Sequence, residues 1–448
     1  MAKINRLIMK RFLVYVLSFS LVLGFVSCDN DDMKSSKNEI VLNDLEVSRE
    51  SITLTWSQLS APDTKGYLII RNRVPHETND SFIGSTIIAQ IIDPTVTEYV
   101  DNNLPLSAYL EYQIVGVTGK EEETYKYIYS NKQTYLRPEY ESFMFDVFDV
   151  LPDIADRNWL YITEKQDGII TIFDYETKSK VKSITSGSEI GFSAMGIHNS
   201  VKELYVPRAD GWLFIYNAEN LEQTDKINLG APVSSVVYNE GYLFISSENL
   251  DYGFSVYDRQ TKERVAYWSD YSNYKTHLRL IPGSKSEFID VSINLLTDEA
   301  YYYKFDHDQK TIERLSDKYH GEYRLNHYIF RFSPDGKKYV TSWEGVIYDV
   351  EMNYLGKIPR GDMEFVDYAF NDSGSLLYCG YLYGRSIVSY SFPGLEVKKQ
   401  YETLGYPYKI FLKDDNTLVC LSTISATGGN YRFEVYSPIE FFVEKIEL

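Results

Sequence analysis

The chain has 448 residues, and 64 acidic against 45 basic side chains give a formal charge of −19. Apolar residues at 44% and charged residues at 24% are the proportions of a folding chain rather than a disordered one. So acidic a surface argues against a nucleic-acid ligand, which is bound by displacing phosphate counterions with Lys and Arg. Three cysteines exclude a disulfide framework and an all-cysteine zinc site. Forty tyrosines within an aromatic content of 15% favour strands over helices.

At the N-terminus, Lys3, Arg6, Lys10 and Arg11 precede an apolar run from Phe12 to Val26 that ends at Ser27-Cys28. A basic start, a short apolar stretch and a small residue before the cut predict a secretory signal peptide over 1–27. The run is too short for a membrane span. Phe25-Val-Ser-Cys28 resembles the bacterial lipobox, which implies lipidation of Cys28, although Phe25 and Val26 depart from its usual Leu and small residue. Asp29-Asn-Asp-Asp32, within an acidic tether at 28–38, resembles the export signal of surface lipoproteins of the Bacteroidetes. The expectation is an outer-membrane, lipid-anchored protein exposed at the cell surface, touching the bilayer only through its acyl chains.

Residues 39–137 contain short alternating runs between turn residues, among them Ile52-Thr-Leu-Thr-Trp56, Tyr67-Leu-Ile-Ile70 and Leu110-Glu-Tyr-Gln-Ile-Val-Gly-Val117. Period-two alternation over about a hundred residues predicts an antiparallel β-sandwich. The residues resemble a fibronectin type III domain: Ile52–Trp56 matches its second strand with the core tryptophan, and Gly66–Arg71 its third. Leu104-Pro-x-Ser107-x-Tyr109 with Tyr112-x-Ile114-x-Gly116 matches the turn into its sixth strand. Tyr109 and Tyr112 both fit the tyrosine that caps that turn. The resemblance implies a spacer.

From 138 to 448 a strand ending in an aromatic residue, followed by a turn, recurs seven times. The aromatics are Phe173, Tyr216, Tyr257, Phe305, Tyr348, Tyr390 and Tyr436, spaced 41 to 48 residues apart. Four strands per repeat and seven repeats predict a seven-bladed β-propeller, whose blades bury their faces only by stacking in a ring. Residues 138–158 are expected to form the inner strand of blade one, and Glu444–Leu448 the last strand of blade seven. Asp174-Tyr-Glu-Thr-Lys178 and Asp258-Arg-Gln-Thr-Lys262 resemble turns of the YVTN and quinoprotein-like propellers. Phe332-Ser-Pro-Asp-Gly-Lys337 resembles the turn of WD-like bacterial propellers. These resemblances imply a fold and leave function open.

The loops between blades are rich in aromatics. Tyr271, Tyr274 and His277 lead into blade four, and Tyr319, Tyr323 and Arg324 into blade five. Arg360 and Asp362 lead into blade six, and Tyr406 and Tyr408 into blade seven. Rings beside carboxylates and guanidinium groups suit a sugar, the rings taking its C–H face and the charges its hydroxyls. Packing of aromatics between blades is the competing explanation. His320, His327, Tyr323 and Arg324 are the one cluster with the residue types of a proton-abstracting lyase, and Asp362 with Glu364 the pair for a glycosidase. Asp306-His-Asp308 occupies the position of Asp174 and Asp258, so it reads as a hairpin turn and not as a metal site. Cys379 and Cys420 lie in second strands of adjacent blades and are expected as two buried thiols. The reading is an all-β surface lipoprotein, monomeric and without cofactor, that binds a glycan or glycoprotein in nutrient capture. A polysaccharide lyase or glycosidase, and a protein–protein scaffold, are the alternatives.

Overall fold

The computed structural model describes residues 39–48, 51–61, 63–73, 85–107, 109–119, 125–136, 142–247, 253–269, 276–293, 298–424, 426 and 439–448. The expected leader, Cys28, the tether, Tyr271 and Tyr274 lie outside them. Among the described residues the elements are all strands.

The N-terminal strands form two sheets. Glu46–Val47, Ile52–Thr55 and Glu98–Asp101 make one, and Ser85–Ile91, Thr64–Arg73, Tyr109–Thr118 and Lys126–Leu136 the other. The alternate residues Ile52, Leu54 and Trp56 of the first face Tyr67, Ile69, Tyr112 and Ile114 of the second in one core. Trp56 meets Tyr67 edge to face at 5.4 Å. Of the two candidate turn tyrosines, Tyr112 is the buried one, and its hydroxyl donates to Asp101 Oδ2 at 2.9 Å, which Arg71 also holds at 2.7 Å.

The rest of the chain is a β-propeller of seven four-stranded antiparallel sheets. The inner strands of blades one to seven are Val147–Asp153, Ala194–His198, Val233–Asn239, Thr276–Leu280, Phe330–Phe332, Phe365–Phe370 and Tyr406–Asp414. Cores lie between blades, so both faces of a sheet are apolar. In the second strand of blade two, Leu204 and Val206 pack with Ile170 and Ile172 of blade one, while Tyr205 between them packs with Val236 and Leu243 of blade three. The recurring aromatics Phe173, Tyr216, Tyr257, Phe305, Tyr348 and Tyr390 end the third strands of blades one to six and are all buried. Cys379 and Cys420 are buried, unbridged thiols.

Blade seven departs from the expectation. Its third strand is Ile439–Glu447, in which Ile446 pairs with Leu418 as Tyr390 pairs with Leu377 in blade six. The seventh aromatic marker therefore does not end this strand, and Tyr436 lies outside the described residues. The outer strand is not the C-terminus but Phe143–Phe145, with Phe143 opposite Phe441 and Phe145 opposite Ile439. Residues 138–158 thus serve two blades: 143–145 finish blade seven, and 147–153 begin blade one. Leu106, from the two-sheet domain, packs against Ile424 and Phe442 of the same blade.

Local chemistry shapes the outer hairpins. Oδ1 of Asp174, Asp258 and Asp306 each accepts two following peptide N–H groups at 2.8–3.0 Å. The chain then turns through Lys178, Lys262 and Lys310 at φ of 51°, 64° and 55°. Asp306 is thereby a turn residue. Between blades, buried charge is handled in two ways. Arg259 donates to both oxygens of Glu203 at 3.0 and 2.8 Å and to Asp225 at 3.0 Å, while Tyr205 donates to Glu203 at 2.7 Å, so this pair is fully hydrogen-bonded. Asp290, wholly buried in blade four, accepts from Ser246 of blade three at 2.7 Å through Oδ2 and has no partner at Oδ1. Burial pushes its carboxyl up to about 7.

A folded-state proton affinity raised in this way favours folding below the unfolded value near 3.8, and the advantage is lost as pH rises toward 7. The loss is at most about 1.4 kcal/mol per pH unit. Asp290→Asn is expected to gain stability relative to the parent between pH 4 and 7 and to hold a constant difference above pH 7, as read by urea denaturation at several pH values. A difference that does not change with pH would show that Asp290 is not the titrating group.

Candidate functional site at the channel mouth

Loops between blades and between second and third strands gather at one face of the ring, where the inner strands begin. Here the sequence brings together residues that its linear order keeps apart. Residues 190–193, joining blades one and two, dip toward the axis: Phe192 N–H donates to Ser234 O at 2.7 Å, and Phe192 O accepts from Val236 N–H at 3.1 Å. Gly191 makes this approach possible, because a Cβ there would lie 2.3 Å from Ser234 O.

The side chain of Phe192 occupies the channel mouth. Its ring lies parallel to that of His277, with centroids 3.7 Å apart, and contacts Phe148 at 4.6 Å, Tyr328 at 5.7 Å and His327 at 5.9 Å. His277 Nδ1 donates to His327 O at 2.6 Å, which fixes the imidazole orientation. Burial, reinforced by Arg279, holds His277 well below the ordinary histidine range, so it is neutral at physiological pH. Beside this aromatic plug a recess of about 30 Å³ is lined by Phe148, Lys165, Glu189, Phe192, His327 and Tyr328. Lys165 Nζ lies 3.6 Å from Glu189 and 5.3 Å from the Phe148 ring. The recess admits one small substituent of a ligand lying across the mouth.

The residues singled out from sequence divide between this mouth and other places. His277 and His327 are in the plug. His320, at φ 47°, is exposed and lies 3.6 Å from Glu299. Tyr323 stacks on Tyr354 of the outer strand of blade five, Tyr354–Lys357, with centroids 3.7 Å apart, and Tyr319 meets Tyr323 edge-on at 5.0 Å. Tyr319 is held further, its hydroxyl accepting from Tyr354 N–H at 3.1 Å. Arg324 is exposed, 5.8 Å from the Trp343 ring, and Arg360 donates to Met363 O within its own loop. Asp362 is exposed and Tyr406 half-buried. Tyr408 is in the core, donating to Val147 O at 3.2 Å and packed edge-on to Phe441 at 4.9 Å. Tyr319, Tyr323 and Tyr408 therefore act in packing, and His320 and His327 stand in separate surroundings.

Aromatic density in the loops does not single out Phe148, Lys165, Glu189 or Phe192. The available signal was Gly191-Phe192 before the first strand of blade two, a flexible position followed by a large ring. No family model matches the chain, and no curated protein matches its sequence. Solved structures similar to it include the hydrazine synthase of Kuenenia stuttgartiensis, at 13% identity over 68% of this chain and 96% of that one, TM-score 0.48. The β-propeller domain of Cps50 (Swd1) from Myceliophteria thermophila matches at 10% identity over 67% and 99%, TM-score 0.45. Dihydro-heme d1 dehydrogenase NirN in complex with DHE matches at 14% over 61% and 60%, TM-score 0.43. Likenesses at these values carry neither activity nor ligand to this chain.

Gly191→Ala is expected to cost about 1–3 kcal/mol, as overpacking does, and to release Phe192 from the inner strand of blade three. Amide exchange at Val236, whose N–H donates to Phe192 O, then quickens. Unchanged exchange at Val236 would mean that residues 190–193 do not need the close approach.

Proposed function

We propose that this chain is a lipid-anchored cell-surface binding protein whose propeller takes a glycan or glycoprotein at the channel mouth, without turning it over. The observation that carries the reading is the recess beside Phe192. There Phe148, Phe192 and Tyr328 line an apolar wall, and Lys165 and Glu189 supply a donor and an acceptor at one edge. A sugar laid across the mouth would place one substituent in the recess. Binding without catalysis follows from the dispersal of His320, Tyr323, Arg324 and His327 among different contacts, since general acid–base chemistry needs its groups around one reacting atom.

The N-terminal strands support a spacer role for residues 39–137. Their three-and-four-strand arrangement and the tied, buried Tyr112 agree with a fibronectin type III-like domain. With the anchor expected at Cys28, such a spacer would hold the propeller away from the membrane.

The test is a glycan-array screen of the mature chain carrying Cys28→Ser. Tyr328→Ala and Lys165→Met are each expected to weaken binding at least tenfold. A Tyr319→Ala/Tyr323→Ala double variant should bind normally while melting earlier, because those rings pack on Tyr354. Absence of binding to any glycan would overturn the proposal, and loss confined to the Tyr319/Tyr323 variant would move the site to the outer rim of blade five.

A further inference from the structure

Five inner strands carry a charged residue between two apolar neighbours: Phe148-Asp149-Val150, Leu278-Arg279-Leu280, Phe330-Arg331-Phe332, Val366-Asp367-Tyr368 and Tyr408-Lys409-Ile410. They belong to blades one, four, five, six and seven, and the ring turns them toward one another below the plug. Their mutual pairing is unequal. Arg331 donates to Asp367 Oδ2 at 3.1 Å, and that oxygen also accepts from Ile410 N–H at 3.1 Å. Lys409 donates to Tyr328 O at 3.1 Å.

Arg279 is different. No carboxylate of the described residues lies within 4.0 Å of its guanidinium, its Nε is buried without an acceptor, and it lies over the Phe330 ring at 5.8 Å. It lies two residues past His277 on the same strand face, and so about 7 Å deeper in the channel. The residue keeps some accessible surface. Burial, followed by repulsion from Arg331, lowers its affinity for a proton to about 9, against the weaker opposing pull of Asp149 and Asp367. A guanidinium stays charged in such a place, so its charge has to be met by a counter-charge. Three cations against two carboxylates leave one positive charge in this layer, and Asp367 already serves Arg331 and the Ile410 amide.

We propose that the propeller channel is a site for a small anion, a carboxylate or a tetrahedral oxyanion, held by Arg279 with Arg331 and Lys409 beneath the Phe192–His277 plug. Two parallel N–H groups of a guanidinium match two oxygens of either kind of anion. The site is independent of glycan binding at the mouth. It contains none of the residues proposed to touch the sugar, and it is filled by a separate ligand.

Calorimetry and thermal unfolding of the mature chain, titrated with sodium sulfate, sodium acetate or sodium glucuronate against sodium chloride at matched ionic strength, test it. A saturable heat and a saturable rise in unfolding midpoint are expected with at least one of the three. Sulfate alone would identify an inorganic oxyanion as occupant, and acetate or glucuronate alone an organic acid. Arg279→Met should weaken binding at least tenfold, and without anion it should melt no earlier than the parent, because it removes an unmatched buried charge. Arg279→Lys, which keeps the charge, should retain weakened binding and serves if the Met variant does not fold. No saturable binding to the parent chain, or equal binding by the parent and either Arg279 variant, would overturn the proposal.

Discussion

The structure depends on closing a ring. A blade alone exposes two apolar faces, and six stacked blades would still leave two of them bare. Pairing of Phe143–Phe145 with Ile439–Phe441 joins the start of the propeller to its end inside one sheet. Phe143 then packs edge-on to Phe173 of blade one at 4.7 Å, so the closing strand is tied into the next interface as well. Strand exchange of this kind makes opening the ring cost both the ladder and the core behind it. It also leaves few free edges for another chain to extend.

Closure gives the inner strands a common axis, and the properties of the channel follow from that. Residues 190–193 reach across from the first interblade loop to the inner strand of blade three only because the strands converge. The converging strands likewise place Asp149, Arg279, Arg331, Asp367 and Lys409 in one layer. The aromatic plug above and the charged layer below are consequences of a single geometry. The mouth presents rings and a Lys–Glu pair, and the interior presents guanidinium.

Much of the fold was legible because its determinants are local. Aromatic spacing marked the third strands of six blades, and Asp174, Asp258 and Asp306 announced their turns through carboxylates that bond the next peptides. The seventh blade was not legible, since its outer strand comes from the far end of the repeat region and no local signal reports that pairing. The site was harder still. Tyr319 and Tyr323 share a loop with His327, yet they turn outward onto Tyr354 while His327 turns inward onto Tyr328. Aromatic density in a loop does not tell packing from recognition. The charges set between apolar neighbours in five inner strands were visible, but only the ring shows that these charges meet.

Ring closure by residues 143–145 is the claim on which the common axis of the inner strands rests. Met144 stands opposite Glu440 in that pairing, and opposed residues in an antiparallel ladder are about 4.5–5.5 Å apart at Cα, within disulfide reach. The most direct measurement is mass spectrometry of a Met144→Cys/Glu440→Cys variant after mild oxidation. An intramolecular disulfide between the two peptides is the result this account predicts. Two free thiols in the folded, oxidised variant would contradict it.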